Sequence, residues 1–157
     1  MALDDDMTLL ARQPLLSLLE RDALRLLAFA AESRSLRAGD VLFRVGEPSD
    51  GAAIVISGAV ALMESDDGRP ASEIVGPGAM IGELSLFTTL SRQVTAIARE
   101  PTEILRLPRS VMRRVLAESP DSAEAIMAAV GERLRGFVGE LAAVQQALDA
   151  IDWGQGR

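Results

Sequence analysis

Glycines punctuate the middle of this chain so densely that only short extended segments fit between them. Eight of its thirteen glycines lie between residues 39 and 82. The segments between and after them predict seven short strands, at residues 36–38, 41–45, 52–56, 59–63, 72–75, 94–98 and 102–107. Many short strands with frequent turn signals are typical of a β-sandwich or a β-barrel. We therefore predict an all-β centre for the molecule.

Both ends of the chain are predicted to be helical, which makes the fold class α+β. Ser17 and Glu20 form a capping-box pattern that predicts the start of a helix. The apolar residues that follow recur at helical spacing: Leu24, Leu27, Ala28 and Ala31. Near the other end, residues 110–118 predict a short helix. Residues 119–121 then supply an N-cap, a proline at the first helical position and an acid in the first turn of a long helix.

Apolar residues of this last helix recur alternately every three and four positions, as in a coiled coil. The predicted dimer seam consists of Met127, Val130, Leu134, Phe137, Leu141, Val144 and Leu148. The full repeat spans roughly 42 Å at 1.5 Å per residue, longer than the core of so small a domain needs. We expect a parallel homodimer through this helix. The alternative is a helix packed along its own barrel, and the glycines at 131, 136 and 139 count against the dimer.

The residue types that are missing narrow the possible chemistry. The chain has no His, Cys, Lys or Tyr, so it lacks the usual general bases, thiol nucleophiles and nitrogen or sulfur metal ligands. We expect no enzymatic activity, no metal and no required cofactor. A net charge of −7 disfavours DNA as a partner. The sequence shows neither a long apolar run nor a signal-peptide pattern, so we expect a cytoplasmic protein without a membrane span.

One short motif combines a glycine, a carboxylate and a guanidinium. A helical turn that opens at Glu83, just after Gly82, would expose the backbone N–H groups of Leu84 and Ser85, which favour an anion. Arg92 adds a planar set of donors suited to a phosphate. Glu83 is an acceptor beside that anion site, where a sugar hydroxyl would fit. A phosphate next to a sugar hydroxyl indicates a nucleotide.

These residues and the order of the elements resemble the cyclic-nucleotide-binding domain family. Residues 82–86, with Arg92 and Thr95, are similar to its phosphate-binding cassette, and residues 36–50 to its first strands. The resemblance implies an antiparallel jelly-roll barrel (a double-stranded β-helix) in one domain over residues 1–157. Its parts would be N-terminal helices at 8–32, the barrel at 35–108 with the cassette at 82–95, and C-terminal helices at 109–152. The domain resembles the effector domain of catabolite-activator (Crp/Fnr-like) regulators, as a stand-alone domain without a helix-turn-helix.

The resemblance also implies roles for particular residues. Arg92 would bind the cyclic phosphate, together with the backbone at Leu84 and Ser85, and Glu83 would bind the ribose 2′-hydroxyl. Gly82 would let the backbone come close to the ligand. The remaining ligand-binding predictions are Gln93, Val94, Arg133 and Phe137. Gln93 stands where the family usually has Ser, Thr or Ala, Val94 where it usually has Ala, and Phe137 and Val138 where the last helix contacts the base. Solvated helix charges are the alternative account of Arg133 and Arg135.

The function implied is a receptor for cAMP, or for cGMP as the weaker alternative, because no hydroxyl is present at Gln93. Binding would reposition the C-terminal helix and signal to an unknown protein partner. One alternative is a ligand-free dimerisation or interaction module of the same fold, in which Glu83 and Arg92 form an internal pair. A carboxylate-dependent hydrolase of cyclic nucleotides is a third possibility.

Overall fold

The computed structural model describes residues 2–64 and 70–149, and side chains within 3–64, 70–133 and 135–136. In this part of the chain, two α-helices and a short 3₁₀ turn come first: α1 at Ala2–Ala11, the turn at Leu16–Leu18 and α2 at Arg21–Ala30. Strands then follow at Glu32–Leu36 (β1), Val41–Phe43 (β2), Gly51–Ser57 (β3), Val60–Met63 (β4), Glu73–Val75 (β5), Met80–Ile81 (β6), Thr95–Ala98 (β7) and Thr102–Pro108 (β8). A 3₁₀ turn at Glu83–Leu86, here called the cassette turn, joins β6 to the segment before β7. Helices α3 (Arg109–Glu118) and α4 (Pro120–Asp149) end the described part.

The strands form two antiparallel four-stranded sheets in the described residues. Their strand orders are β1-β8-β3-β6 and β2-β7-β4-β5. Val55 and Ile81 of the first sheet share a buried cluster with Val60 and Ala96 of the second, so the two sheets face each other. The predicted α+β fold with a jelly-roll centre is confirmed.

Strand β3, in the middle of the first sheet, is buried on both faces over Gly51–Val55. Along β3, Ala53 and Val55 pack inside the jelly roll, whereas Ala52 and Ile54 pack against the helices. This alternation follows from the two-residue period of a strand. The cluster on the outer face is the largest core of the molecule, and its fully buried members include Leu16, Leu27, Leu105, Leu107, Met112 and Ile126. Helices α2, α3 and α4 therefore rest on the sheet that leads to the cassette turn.

Two local predictions were wrong. The first strand runs from Glu32 to Leu36 rather than over 36–38, because its mostly exposed, polar residues give no apolar signal and its partner β8 defines it. The capping box does not form. The Ser17 hydroxyl donates to the Pro14 carbonyl, and the backbone N–H of Glu20 donates to the hydroxyl of Ser122 on α4 (2.8 Å).

Helix α4 turns one face to the core of its own domain. Ile126 is fully buried and Val130 packs against the main core, whereas Met127 is 46% exposed. Val130 is therefore a core residue here, and Met127 remains available for a partner. The other seam residues lie outside the described side chains: Leu134, Phe137, Leu141, Val144 and Leu148. Among the described helices, none is long and apolar enough to cross a membrane.

Candidate functional site

Gly82 brings the backbone of the cassette turn against the side chain of Arg92. Its φ of +76° lies in the left-handed region, which residues other than glycine rarely adopt. A Cβ atom at this position would come within 2.7 Å of Arg92 Nη1. The conformation therefore favours glycine here, and a side chain at this position would displace the Arg92 guanidinium.

The cassette turn is a 3₁₀ turn, which changes the predicted set of free amides. The backbone N–H of Ser85 donates to the carbonyl of Gly82 at 2.9 Å. In a 3₁₀ turn this bond forms three residues along, one residue earlier than in an α-helix. Of the two amides predicted to face an anion, that of Ser85 is therefore engaged inside the turn, which leaves Leu84 as the predicted donor. The Ser85 side chain is buried.

Arg92 is the most enclosed cation of the site, with a side chain that is 10% exposed. Its Nη2 donates to the carbonyl of Gly51 at 3.1 Å and lies 3.7 Å from Oδ1 of Asp50. The guanidinium stacks over the ring of Phe43, with its carbon 4.0 Å from the ring centroid. Burial lowers the pKa of Arg92 and Asp50 opposes that change, but an arginine stays charged at neutral pH. A buried cation is thus presented to a cavity.

Backbone pairing fixes the position of Arg92 from both sides. Its N–H donates to the carbonyl of Glu47 at 2.8 Å, and its carbonyl accepts the N–H of Gly46 at 2.9 Å. Two residues before Arg92, the N–H of Leu90 donates to the buried hydroxyl of Ser49 at 3.0 Å. The segment that carries Arg92 is therefore joined to the turn between β2 and β3.

Arg109 contacts backbone carbonyls of the same region. It is the first residue of α3, and its Nη1 lies within hydrogen-bond distance of the carbonyls of Ser49 (3.0 Å), Ser85 (3.2 Å) and Thr88 (3.3 Å). A cation at a helix N-terminus is unfavourable for the helix dipole, so these carbonyls give the physical reason for its place. Arg109 links α3 to both the cassette turn and the β2–β3 turn.

A cavity of about 290 Å³ opens in front of Arg92. Its lining residues are Arg34, Leu42, Phe43, Glu47, Pro48, Asp50, Gly51, Ala52, Ala53, Ile81, Arg92 and Arg106. Its volume is at the lower end of the range for small-molecule sites. Among these described residues are three guanidiniums and two carboxylates, so their formal charge sums to +1.

Glu83 contacts the last helix rather than Arg92. Its carboxylate forms an ion pair with the guanidinium of Arg133 on α4, and the two side chains are 19% and 43% exposed. The internal Glu83–Arg92 pair of the ligand-free alternative is therefore wrong, since Arg92 pairs with Asp50 instead. The reading of Arg133 as a solvated helix charge is also wrong, whereas Arg135 pairs with Glu132 on the exposed face of α4.

With this geometry in place, sequence comparison decides the family. The model of the cyclic nucleotide-binding domain matches residues 33–119, which is more than half of the chain. The chain belongs to the cyclic nucleotide-binding domain family. It is 30% identical over 129 residues to a CRP-like cAMP-activated global transcriptional regulator of Mycobacterium tuberculosis. The match covers 81% of this chain and 58% of that regulator, so the chain spans little more than half the length of this relative.

Solved structures agree with the fold of this cyclic nucleotide-binding domain. The N-terminal domain of a transcriptional regulator from Streptomyces coelicolor has a TM-score of 0.75 and 31% identity, covering 95% of this chain and 99% of that one. A cyclic nucleotide-binding-like protein from Brucella abortus has a TM-score of 0.68 and 43% identity, covering 73% of this chain and 99% of that one. The likeness extends over both sheets and the helices.

Among the predicted ligand residues other than Phe137, Arg92 alone lines the cavity of this cyclic nucleotide-binding domain. Seven others do not line it: Gly82, Glu83, Leu84, Ser85, Gln93, Val94 and Arg133. Gln93 is exposed, and its amide donates to the neighbouring carbonyl of Ser91 at 3.2 Å. Val94 is half-buried on the same segment. Both residues lie in the irregular segment before β7, which begins at Thr95. Phe137 and Val138 lie outside the described side chains.

The sequence reasoning missed most of the cavity wall, including three residues that contact Arg92 directly or through Asp50. Phe43 lies under the guanidinium of Arg92, while Asp50 joins that guanidinium to Arg106 on β8. Arg106 also donates to the carboxylate of Glu32 at 3.0 Å. The only available signal was the position of Phe43 and Asp50 inside the segment that resembles the first strands of the family. Within the described residues, no group of three or more acidic side chains could hold a metal ion.

Proposed function

We propose that this domain is a cyclic-nucleotide receptor whose ligand is cAMP, with cGMP as the weaker alternative. The observation that carries the proposal is the 10% exposed guanidinium of Arg92, set beside Gly82 at one wall of the cavity. A cyclic phosphodiester carries one negative charge, and the lining residues sum to +1. Glu83 and Arg133 form an ion pair that adds no net charge, so the sum stays at +1 and is matched to this class of ligand.

The phosphate would bind Arg92 and the Leu84 amide. Arg92 already faces one oxygen anion, Asp50 Oδ1, at 3.7 Å, and a phosphate oxygen at normal hydrogen-bond distance would be a closer partner. Charge-assisted bonds from arginine to phosphate are among the strong ones in proteins. The carbonyl of Gly51 holds the guanidinium in position while the phosphate enters.

The ribose would bind Glu83. This residue directly follows Gly82, whose backbone lies beside the guanidinium of Arg92. An ionised carboxylate only accepts hydrogen bonds, so it suits a 2′-hydroxyl. This carboxylate already has a partner in Arg133 of α4. A ribose hydroxyl would therefore compete with the last helix for the same oxygens.

That competition supplies the proposed signal. Ligand binding loosens one attachment of α4 to the cassette turn, and α4 changes its position relative to the jelly roll. The partner that reads this change is a protein of unknown identity, and a homodimer through α4 would transmit the change between two copies. Preference for cAMP rests on the cAMP-activated relative, because Gln93 does not line the cavity.

Calorimetric titration with cAMP and cGMP tests the proposal on the wild type and on Arg92→Gln. We expect measurable binding by the wild type and a loss of about tenfold to a hundredfold in the variant, because hydrogen bonds to charged groups contribute roughly 1.5–3 kcal/mol. Arg99→Gln is the matched control, since Arg99 is exposed and does not line the cavity. Absence of heat from the wild type, or equal affinity in Arg92→Gln, contradicts the receptor and favours the ligand-free interaction module.

A further inference from the structure

Asp50 places a negative charge beside the cation that would bind the phosphate. One carboxylate oxygen lies 3.7 Å from Arg92 Nη2, and the other forms an ion pair with Arg106 of β8. Its backbone carbonyl accepts the N–H of Arg109 at 2.7 Å, which fixes its location at the start of β3. Although the Asp50 side chain is 65% exposed, it is thus held at a defined place on the cavity wall.

Glu47, the second carboxylate of the cavity wall, forms a hydrogen bond within its own turn. It accepts the backbone N–H of Arg44. Burial is the largest influence on the pKa of Arg92 and lowers it; of the two carboxylates that raise it, Asp50 acts more strongly than Glu47. Of the two carboxylates of the cavity wall, Asp50 is therefore the one that acts more strongly on the cation that would bind the anion.

We infer that Asp50, held in place by Arg106, makes the cavity selective for a singly charged phosphodiester over a phosphomonoester of the same nucleoside. This inference rests on the proposed function. A phosphomonoester carries nearly two negative charges at neutral pH, whereas the cyclic diester carries one. One charge balances the +1 of the lining residues. A second charge exceeds that sum and lies close to the carboxylate of Asp50.

The geometry therefore assigns opposite effects to the two members of the Asp50–Arg106 pair. Removal of the Asp50 charge leaves an excess of cation that accepts the doubly charged ligand better. Removal of the Arg106 charge leaves Asp50 less neutralised and excludes that ligand more strongly. A purely structural role for the pair predicts that both variants weaken the two ligands alike.

The test compares the dissociation constants of cAMP and 5′-AMP at pH 8, by titration or by displacement, in the wild type, Asp50→Asn and Arg106→Gln. The ratio of the 5′-AMP constant to the cAMP constant measures the selectivity. We expect this ratio to fall about fivefold in Asp50→Asn and to rise in Arg106→Gln, as Coulomb's law gives for one charge at such a distance with partial screening by solvent. Glu73→Gln changes the net charge equally but lies outside the cavity, so it should leave the ratio unchanged.

The outcomes separate this inference from the proposed function. If the wild type binds neither cAMP nor cGMP, the receptor proposal and the charge selectivity are both overturned; if it binds only cGMP, the same ratio is measured with cGMP and 5′-GMP. If the wild type binds cAMP and the ratio is the same in all variants, only the selectivity is overturned. Should Asp50→Asn fail to fold, Arg106→Gln alone decides, because an unchanged or lower ratio in that variant contradicts the inference.

Discussion

At the scale of single residues, Gly82 connects the backbone of the cassette turn to the chemistry of the cavity. We expect Gly82→Ala to destabilise the fold by about 1–3 kcal/mol, the usual cost of a left-handed conformation for a residue other than glycine. The new Cβ would also meet Arg92 Nη1 at 2.7 Å, so cyclic-nucleotide affinity should fall as well. Urea unfolding measures the first effect, and nucleotide titration measures the second.

Gly39→Ala is a matched control for this prediction. Gly39 has a φ of +91°, yet a Cβ atom there would meet nothing within 4 Å. It should lose a similar amount of stability without any loss of affinity. Equal affinities in the two variants would show that the space next to Arg92 is not limiting, and the steric account of Gly82 would then be wrong.

The closeness of Gly82 and Arg92 could be predicted from the sequence because the motif that contains them is local. Gly82, Glu83 and Arg92 lie within eleven positions of one another in the chain. Phe43 and Asp50 line the same cavity as Arg92, although they lie more than forty positions earlier in the chain. Sequence spacing carries no information about such partners. The same limit explains why Glu83 was considered with Arg92 and not with Arg133, which lies fifty positions further on.

At the scale of elements, the Glu83–Arg133 ion pair is a direct charged link between the cassette turn and α4. We expect Arg133→Gln to raise the affinity for cyclic nucleotides up to about fivefold, because the ribose hydroxyl no longer competes for Glu83 and partly exposed pairs contribute at most about 1 kcal/mol. Amide hydrogen exchange in α4 should also become faster without ligand. Nucleotide titration and exchange mass spectrometry measure the two effects.

Arg135→Gln is the control for this prediction. Arg135 lies two positions further along α4 and pairs with Glu132 on the exposed surface, so its loss should change neither affinity nor exchange near the cassette turn. A weaker nucleotide affinity in Arg133→Gln would mean that Arg133 touches the ligand itself, as a ligand-binding role predicts, and the competition would be refuted.

The elements themselves were predicted unevenly for a physical reason. Strand β3 carries a continuous apolar run because the jelly roll and the helices bury both of its faces, and such a run is visible in the sequence. Strand β8 has buried apolar residues at Ile104, Leu105 and Leu107. Strand β1 is polar and is defined only by its register with β8, from Glu32 opposite Arg106 to Leu36 opposite Thr102. The two-residue strand β6 is too short to leave a pattern. Pairing between distant segments, rather than local preference, decides both.

At the scale of the whole molecule, α4 is the longest of the described helices, with 30 residues at Pro120–Asp149. Ile126 and Val130 anchor its first turns in the core, while Met127 stays 46% exposed on another face. The apolar repeat of the sequence continues past these anchors to Leu148. A long helix whose sequence keeps a 3.5-residue apolar repeat favours association with a second copy.

A dimer of this kind must form against charge repulsion. Each copy carries a net charge of −7, so a pair carries −7 − 7 = −14, and salt should strengthen association by screening this repulsion. We expect a dimer by light scattering, with a dissociation constant that falls as the salt concentration rises.

We also expect Leu141→Glu to give a monomer, because burial of a carboxylate in the predicted apolar seam is costly. Gln146→Glu adds the same charge at a position that the heptad pattern sets opposite the seam, so it should leave the dimer intact. A wild-type monomer at every salt concentration, or a Leu141→Glu dimer as stable as the wild type, would leave α4 as a helix of a single copy, and the proposed signal would then have to act on the partner protein directly.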